Sequence, residues 1–579
     1  MIEFSWKIGG EAGYGIMTTG FIFGKSFVRA GFFAFDINEY PSLIRGGHNT
    51  YTVRVSEEPI FSHTKNINIL VALNDVAFEK HKNEVKKGGF IIYDTDTFNI
   101  NSKPKDVNIL PIPLTTLATE KGGQNIMRNN VALGASFALT NVDIKFLYEV
   151  INDVFKEKKG ENIASTNIEA AKAGYEFVQK NFSNLKKIEF THNRKEKRMY
   201  INGNEAIALG AIKAGCKFYA AYPMTPASSI LHYLALKEYD YNIIVKQTED
   251  EISAIHMAIG ASFAGVRAMT GTSGGGFALM TEALGLAAIT ETPVVVVLAQ
   301  RPGPSTGMPT HTEQSDLRFV LHASNGEFPR VVIAPGDVSE CFYETFNAFN
   351  IAEKYQLPVI ILTDKFLAES HATTDPFFLE GLKIDRGMML NKGQPEAKDY
   401  KRYENTITGI SFRALPSQEN VIFKAATDEH DEYGRLEEDP VNRILQMDKR
   451  FRKLKVLEGE IVGTKFYGVE DAEITIIGWG STKGPILEAL KILAKKGMRA
   501  NYLQIVYLMP FPTNMVKAVL EDAKKKILVE NNKTAQLGGL IKEMTGIDVD
   551  YKILKYDGRP FIPEEIVAKI EEVLTFDKF

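Results

Sequence analysis

Cysteine is nearly missing: 579 residues include only Cys216 and Cys341. That excludes a disulfide scaffold, and also a cubane iron–sulfur cluster held by this chain alone, which takes about four thiolates. Long apolar runs are absent too. The longest, such as 293–299, fall far short of the ~20 residues that cross a bilayer. Neither sign of charge dominates: 68 Lys+Arg stand against 72 Asp+Glu, a net charge of −4, so no global basic field invites nucleic acid. The opening Met1-Ile2-Glu3-Phe4-Ser5-Trp6-Lys7 lacks the basic region and apolar core of a secretory signal. The expectation is a cytoplasmic protein. Hydrophobic residues at 44% are ample for packed cores. At ~150 residues per domain the length predicts three or four units.

The first unit is read over 1–185. A strand (4–8) runs into Gly9-Gly10-Glu11-Ala12-Gly13-Tyr14-Gly15, then a helix (17–30) and a second strand ending at Asp36. A glycine turn between strand and helix suits phosphate, because helix N-terminal amides point at the anion. Asp36 stands where a dinucleotide fold places its ribose-binding acid, yet Thr18 breaks the G-x-G-x-x-G pattern. A plain tight turn, a phosphate-bearing ligand and a nicotinamide all stay open. Downstream, Ser42-Leu43-Ile44-Arg45-Gly46-Gly47 combines a guanidinium with open backbone amides, fit for an anion or for an ordinary surface turn. Further strands (67–73, 89–93) and helices (130–139, 147–155) predict a doubly wound sheet.

A charged stretch, 186–198, reads as a linker with no apolar period. The second unit, 199–453, is organised around residues 222–312. There Tyr222-Pro223-Met224-Thr225-Pro226, Glu249-Asp250-Glu251, Thr270-Gly271-Thr272-Ser273-Gly274-Gly275-Gly276 and Arg301-Pro302-Gly303-Pro304-Ser305-Thr306-Gly307-Met308-Pro309-Thr310 follow apolar strands in turn. Turns after parallel strands share the edge where ligands bind. Two prolines fix Thr225 in place. Glu249, Asp250 and Glu251 are expected in the first turn of a helix, where the dipole favours negative charge. Glu251 also opens an almost wholly apolar helix (252–264), and a carboxylate at such a buried position is costly without a task. His256 is expected to be packed inside that helix.

Together these four motifs resemble the α subunit of 2-oxoacid:ferredoxin oxidoreductases, and 1–185 resembles that family's γ subunit fused in front. The resemblance covers essentially the whole chain. It implies an α/β architecture of three doubly wound-type units: a γ-like domain, a thiamine diphosphate pyrimidine-binding domain, and a transketolase C-terminal-like domain over 454–579. It implies oxidative decarboxylation of a 2-oxoacid, 2-oxoglutarate first, to an acyl-coenzyme A with electrons passed to ferredoxin. Pyruvate, branched-chain or indolepyruvate-type substrates are the alternatives, and a nicotinamide- or flavin-linked oxidoreductase is a more distant one.

The resemblance assigns Glu251 to the cofactor's aminopyrimidine, Thr225 to both cofactor and substrate, and Arg301 to the substrate. Tyr222, Thr306, Thr310 and Asp431 are further substrate-side candidates. Gly9, Gly10, Gly13, Gly15, Ser42, Arg45 and Gly46 are the candidates for coenzyme A. The Gly-Asp-Gly run that carries Mg²⁺ and pyrophosphate is missing, and no metal ligand is assigned in this chain. The resemblance therefore implies a β subunit supplying the Mg²⁺–pyrophosphate half-site and the iron–sulfur cluster, in an αβ or (αβ)₂ assembly. Residues 391–451 read as polar and strand-poor. In the last unit the turn Gly478-Trp479-Gly480-Ser481 could take an anion, but a structural and interface role is the expectation.

Overall fold

The computed structural model describes residues 2–43, 46–100, 102–121, 123–191, 196–391 and 399–576. The chain forms two compact units: 1–202 with 369–376 and 562–564, and 203–368 with 377–561 and 565–579.

The first unit is built on an eight-stranded sheet. Its strands are β1 (Glu3–Ala12), β2 (Phe33–Glu39), β3 (Gly46–Ser56), β4 (Ile67–Ala72), β5 (Val85–Asp94), β6 (Asn108–Ile112) and β7 (Met199–Asn202), joined by His371–Thr374 from far downstream. Along the sheet the order is β6-β5-β4-β1-β3-β2, then His371–Thr374, then β7. The half from β6 to β1 is parallel, as a doubly wound sheet requires, whereas β1, β3 and β2 run antiparallel. The strand β3 is thus paired on both sides. Phe4, Trp6, Phe23, Phe27 and Phe137 fill the core, with Trp6 stacked on Phe23 at 4.3 Å. Helices Arg128–Ala138 and Glu161–Asn181 cross at Gly134 and Gly174. A Cβ at Gly134 would lie 1.7 Å from the Ala171 carbonyl oxygen, so only glycine permits that approach.

The second unit holds two sheets. Its strands continue in chain order as β8 (Cys216–Ala221), β9 (Ile244–Gln247), β10 (Arg267–Thr272), β11 (Val294–Gln300), β12 (Val331–Ile333) and β13 (Pro358–Asp364). With His371–Thr374 counted as β14, there follow β15 (Thr464–Gly468), β16 (Ile474–Gly478), β17 (Ala500–Ile505), β18 (Tyr507–Met509), β19 (Lys526–Glu530) and β20 (Tyr551–Leu554). The first sheet runs β18-β12-β13-β11-β10-β8-β9, parallel except for β18. The second runs β15-β17-β16-β19-β20, parallel except for β15. Strands buried on both faces must be apolar throughout, and Val294–Leu298 are all fully buried. Chain order reverses about β8, with β9 on one side and β10 on the other, which makes the carboxyl ends of β8 and β10 a topological switch point.

The polar stretch 391–451 hides an element that the sequence pattern did not reveal: a 19-residue helix, Pro440–Glu458, capped by Asp439. Its inner face is basic rather than apolar, which is why no hydrophobic period marks it. Lys449 and Lys453 are both fully buried there and both engage the Glu291 carboxylate. Trp479 is also fully buried, donating its indole N–H to Glu530 at 3.1 Å, in keeping with a structural part for its turn.

Candidate active site

Four loops leave the carboxyl ends of β8, β9, β10 and β11, and the parallel sheet brings them to one edge. After β9 the helix Glu251–Phe263 begins later than the run of acids suggested. Asp250 is its N-cap and accepts from the Ser253 amide at 2.7 Å, so Glu249 lies outside the helix and Glu251 is its first residue. Glu251 is 2% exposed. The Thr272 hydroxyl donates to its Oε1 at 3.3 Å. Gly276 is what lets the carboxylate sit there: a Cβ would come within 2.2 Å of Glu251 Oε1 and 2.0 Å of Thr272 Oγ1.

The rest of that helix differs from expectation. His256 is exposed, its Nδ1 2.7 Å from the Ile252 carbonyl oxygen, and Ile252, Met257 and Phe263 are exposed alongside it. An apolar helix covered on one face only leaves the other bare, and apolarity alone could not say which face faces protein.

Arg301 follows β11 and reaches back to the loop after β8, donating from Nη1 to the Thr225 carbonyl at 2.7 Å. This is its single hydrogen bond among the described residues, and no carboxylate lies within ion-pair distance. Burial pushes the Arg301 guanidinium below its usual range, against the fields of Asp316 and Glu251. Thr225 is half-buried, and its hydroxyl is not consumed by Arg301.

Asp316 was not singled out by the sequence, since an acid in a polar loop reads as solvated. Its amide donates to Gln300 Oε1 at 3.0 Å, and its carboxyl lies flat against Gly274 at the start of helix Gly274–Ile289; a Cβ at Gly274 would meet Oδ2 at 2.4 Å. Asp316 Oδ2, Ser273 Oγ and Thr270 Oγ1 are buried polar atoms with no hydrogen-bond partner. Such orphans are rare in native cores and mark places that await a partner.

The other candidates fall out unevenly. Tyr222 and Thr306 are exposed, whereas Thr310 is buried in the loop after Arg301. That loop is anchored by Gln314, whose side-chain amide donates to the Trp479 carbonyl at 2.9 Å, and by Thr312, which donates to Asp364 Oδ1 at 3.0 Å. Asp431 turns one carboxylate oxygen, Oδ1, to its own turn, accepting from the amides of Tyr433 and Arg435 at 2.9 Å each. Beside it Glu429 is held by Arg450, and His430 packs 4.0 Å from the Tyr403 ring. Among the described residues no group of three or more His, Cys, Asp or Glu is placed to hold a metal ion.

In the first unit, pairing carries β1 through to Ala12. Gly9 and Gly10 are therefore strand residues, and a Cβ at Gly9 would lie 2.9 Å from Ala77 Cβ. The turn proper is Gly13–Gly15, with φ of 90° and 72°. The register Ala12↔Gly46 brings it beside the half-buried Gly46, with open space at Gly13 and Gly46, and Ser42 is exposed. Arg45 lies outside the described residues. Asp36 is 1% exposed and accepts from Tyr51 at 2.6 Å, from Tyr200 and from the His371 amide at 2.8 Å, so it is not available to a ribose.

The buried carboxylate under a glycine helix start and the arginine past β11 both lie in a span matched by an oxidoreductase family of thiamine diphosphate-binding type. The family model described as pyruvate flavodoxin/ferredoxin oxidoreductase, thiamine diP-bdg, matches residues 209–449. Pyruvate ferredoxin/flavodoxin oxidoreductase matches 5–177, and pyruvate:ferredoxin oxidoreductase core domain II matches 472–566. The chain belongs to the 2-oxoacid:ferredoxin oxidoreductase α-subunit family.

It is 35% identical to the 2-oxoacid:ferredoxin oxidoreductase subunit alpha of a Sulfolobus species over 99% of this chain and 97% of the relative. It is 30% identical to the 2-oxoglutarate oxidoreductase subunit KorA of Mycobacterium tuberculosis, over 98% of this chain and 91% of that one. A solved 2-oxoglutarate:ferredoxin oxidoreductase from Magnetococcus marinus, with 2-oxoglutarate, coenzyme A and succinyl-CoA bound, superposes with a TM-score of 0.91. The two share 35% identity, with 99% of each chain covered. No helix among the described residues is long and apolar enough to cross a membrane.

Proposed function

We propose that this chain is the substrate-gripping, pyrimidine-activating half of a cytoplasmic 2-oxoglutarate:ferredoxin oxidoreductase, over domains 1–185, 199–453 and 454–579. The observation that carries the reading is Arg301: a half-buried guanidinium held by one carbonyl, with no carboxylate partner. A planar fork so placed suits a carboxylate from outside the chain. Thr225, Thr306, Thr310 and Tyr222 add hydroxyls on the same loops. Asp431 is left out, because its turn already uses it.

The residues around Glu251 fit thiamine diphosphate: a buried carboxylate over a glycine cradle, with Ser273 and Thr270 lacking partners nearby. Bound there, the cofactor supplies an electron sink for decarboxylation. Glu251 would hold the aminopyrimidine ring through its buried carboxylate, placed to exchange a proton with it. Arg301 and Thr225 orient the oxoacid carboxylate. The Mg²⁺–pyrophosphate half-site and the iron–sulfur cluster belong to a β subunit, and ferredoxin takes the electrons. Both cysteines of this chain are buried strand or helix residues, and burial raises their thiol pKa values, Cys216 to about 12. The exposed apolar residues Ile252, Met257 and Phe263, with Leu279 on the next helix, are surface for that subunit. Coenzyme A phosphate takes the turn Gly13–Gly15 together with Ser42 and Gly46, and Arg45 is the cation expected to join them.

The test is the chain assembled with its β subunit, assayed on 2-oxoglutarate and pyruvate. The expected result is a higher kcat/KM for 2-oxoglutarate, and an Arg301→Lys variant whose KM for the oxoacid rises roughly 10- to 100-fold while that for coenzyme A stays put. Preference for pyruvate overturns the substrate; an unchanged oxoacid KM in Arg301→Lys overturns the grip.

A further inference from the structure

Arg301 does not act alone. Asp316, in the loop before helix Leu317–His322 and wedged against Gly274, bears on it through its field. Two other charges bear on the pair: Glu313, three residues upstream of Asp316, and Glu251, whose field reaches Arg301. The flanking helix start contributes no charged side chain, since it is Ser273-Gly274-Gly275-Gly276.

We propose that Asp316 is a positioning residue for the oxoacid, setting through its protonation how strongly Arg301 attracts the substrate carboxylate. The geometry gives the reason. Asp316 Oδ2 is buried, makes no hydrogen bond among the described residues, and has no ion pair with Arg301. A carboxylate placed so gains little from being charged. Ionised, it competes with an incoming carboxylate for the field of one guanidinium; protonated, it withdraws that competition and can donate into the site. Desolvation, with Glu313 adding to it and Arg301 opposing, raises the Asp316 pKa to about 6, so the two states exchange near neutrality. Oxoacid affinity should therefore fall as pH rises through about 6, on the order of tenfold for loss of one neighbouring negative charge's neutralisation.

This inference rests on the reading of Arg301 as the carboxylate grip, and the experiment separates the two. In the enzyme assembled with its β subunit, the oxoacid KM is measured from pH 5.5 to 8 for wild type, Asp316→Asn, Asp316→Glu and Arg301→Lys, with the coenzyme A KM as reference. The expected result is a rise in oxoacid KM centred near pH 6 in wild type and no such rise in Asp316→Asn. Asp316→Glu restores a titration, and the coenzyme A constant shows no matching step. Should Asp316→Asn fail to assemble, Asp316→Ser removes the same charge and carries the same expectation. A step that survives in the uncharged variants overturns the proposal while leaving Arg301 in place. Failure of every variant at 316 to assemble makes it a folding residue and overturns the proposal as well. An unchanged oxoacid KM in Arg301→Lys instead overturns the reading beneath it.

Discussion

Arg267 and Arg301 stand in the same unit, at opposite ends of parallel strands, and differ in what surrounds them. Arg267 opens β10 and spends its guanidinium on Glu353 at 2.7 Å, the Ala214 carbonyl at 2.8 Å, Asn350 at 2.9 Å and the Asp385 carbonyl at 2.6 Å. Arg413 and Arg386 converge on the same Glu353. Arg301, past the end of β11, has one hydrogen bond and no ion pair among the described residues. A cation that is fully spent holds chain segments together, whereas one with unspent donors holds something that arrives later. Which edge of a parallel sheet carries which kind follows from topology, since ligands gather at the carboxyl ends.

The largest effect that would break this contrast is expected at Glu251. If it is only a residue at a helix start, Glu251→Gln costs the small dipole term, roughly 0.3–1 kcal/mol, and little rate. If it drives the cofactor's tautomer, exchange of the C2 proton for deuterium in the assembled enzyme slows by roughly 100- to 10,000-fold. Glu249→Gln, outside the helix, should leave that rate near wild type. Equal rates for wild type and Glu251→Gln hand the task to another residue.

At the spent end of the comparison the loss should appear in stability instead. Glu353→Gln leaves three arginines facing one another without their acid, and removing one partner of a buried ion pair costs about 3–5 kcal/mol. Denaturant unfolding should show that drop, while molecules still folded and assembled keep the wild-type oxoacid KM. A raised KM with unchanged stability would reverse the two assignments.

A third case sharpens the rule that charge needs an opposite charge to be spent. Glu530 is fully buried and is met by neutral donors only: Trp479, Asn532 and the Leu537 amide. Burial raises its pKa to about 7, above its unfolded value. A raised pKa means stability present in full below the ordinary carboxylate range and lost as pH climbs through about 7. At 1.4 kcal/mol per pKa unit the span is on the order of 3 kcal/mol. From pH 4 to 8 the stability of wild type should fall relative to Glu530→Gln measured at the same pH, since the other titrating carboxylates, Asp316 among them, act in both; a difference that stays flat or moves in favour of wild type contradicts the assignment.

Local chemistry was enough to mark the motifs from Tyr222 to Thr310 and to separate Glu251 from its two acidic neighbours. Strand, turn and small-residue helix leave their signatures within a few residues of one another. The alternation of these signals also announced parallel sheets, and the shortage of cysteine pointed away from a cluster in this chain.

Long-range placement was needed for the rest. Gly9 and Gly10 became strand residues because β3 pairs with β1 as far as Gly46. Asp36 became a buried acceptor because His371, 335 positions away, closes over it. His256 turned outward because packing chose the other face of its helix. The helix Pro440–Glu458 escaped notice because its buried face is lysine, satisfied by a Glu291 more than 150 residues away. Asp316 gained its meaning from a glycine in another loop and an arginine in a third. Periodicity and turn chemistry act over one helical turn or one strand pair. Whether a charge is spent or free depends on which distant segments the fold brings beside it, and only the tertiary structure decides that.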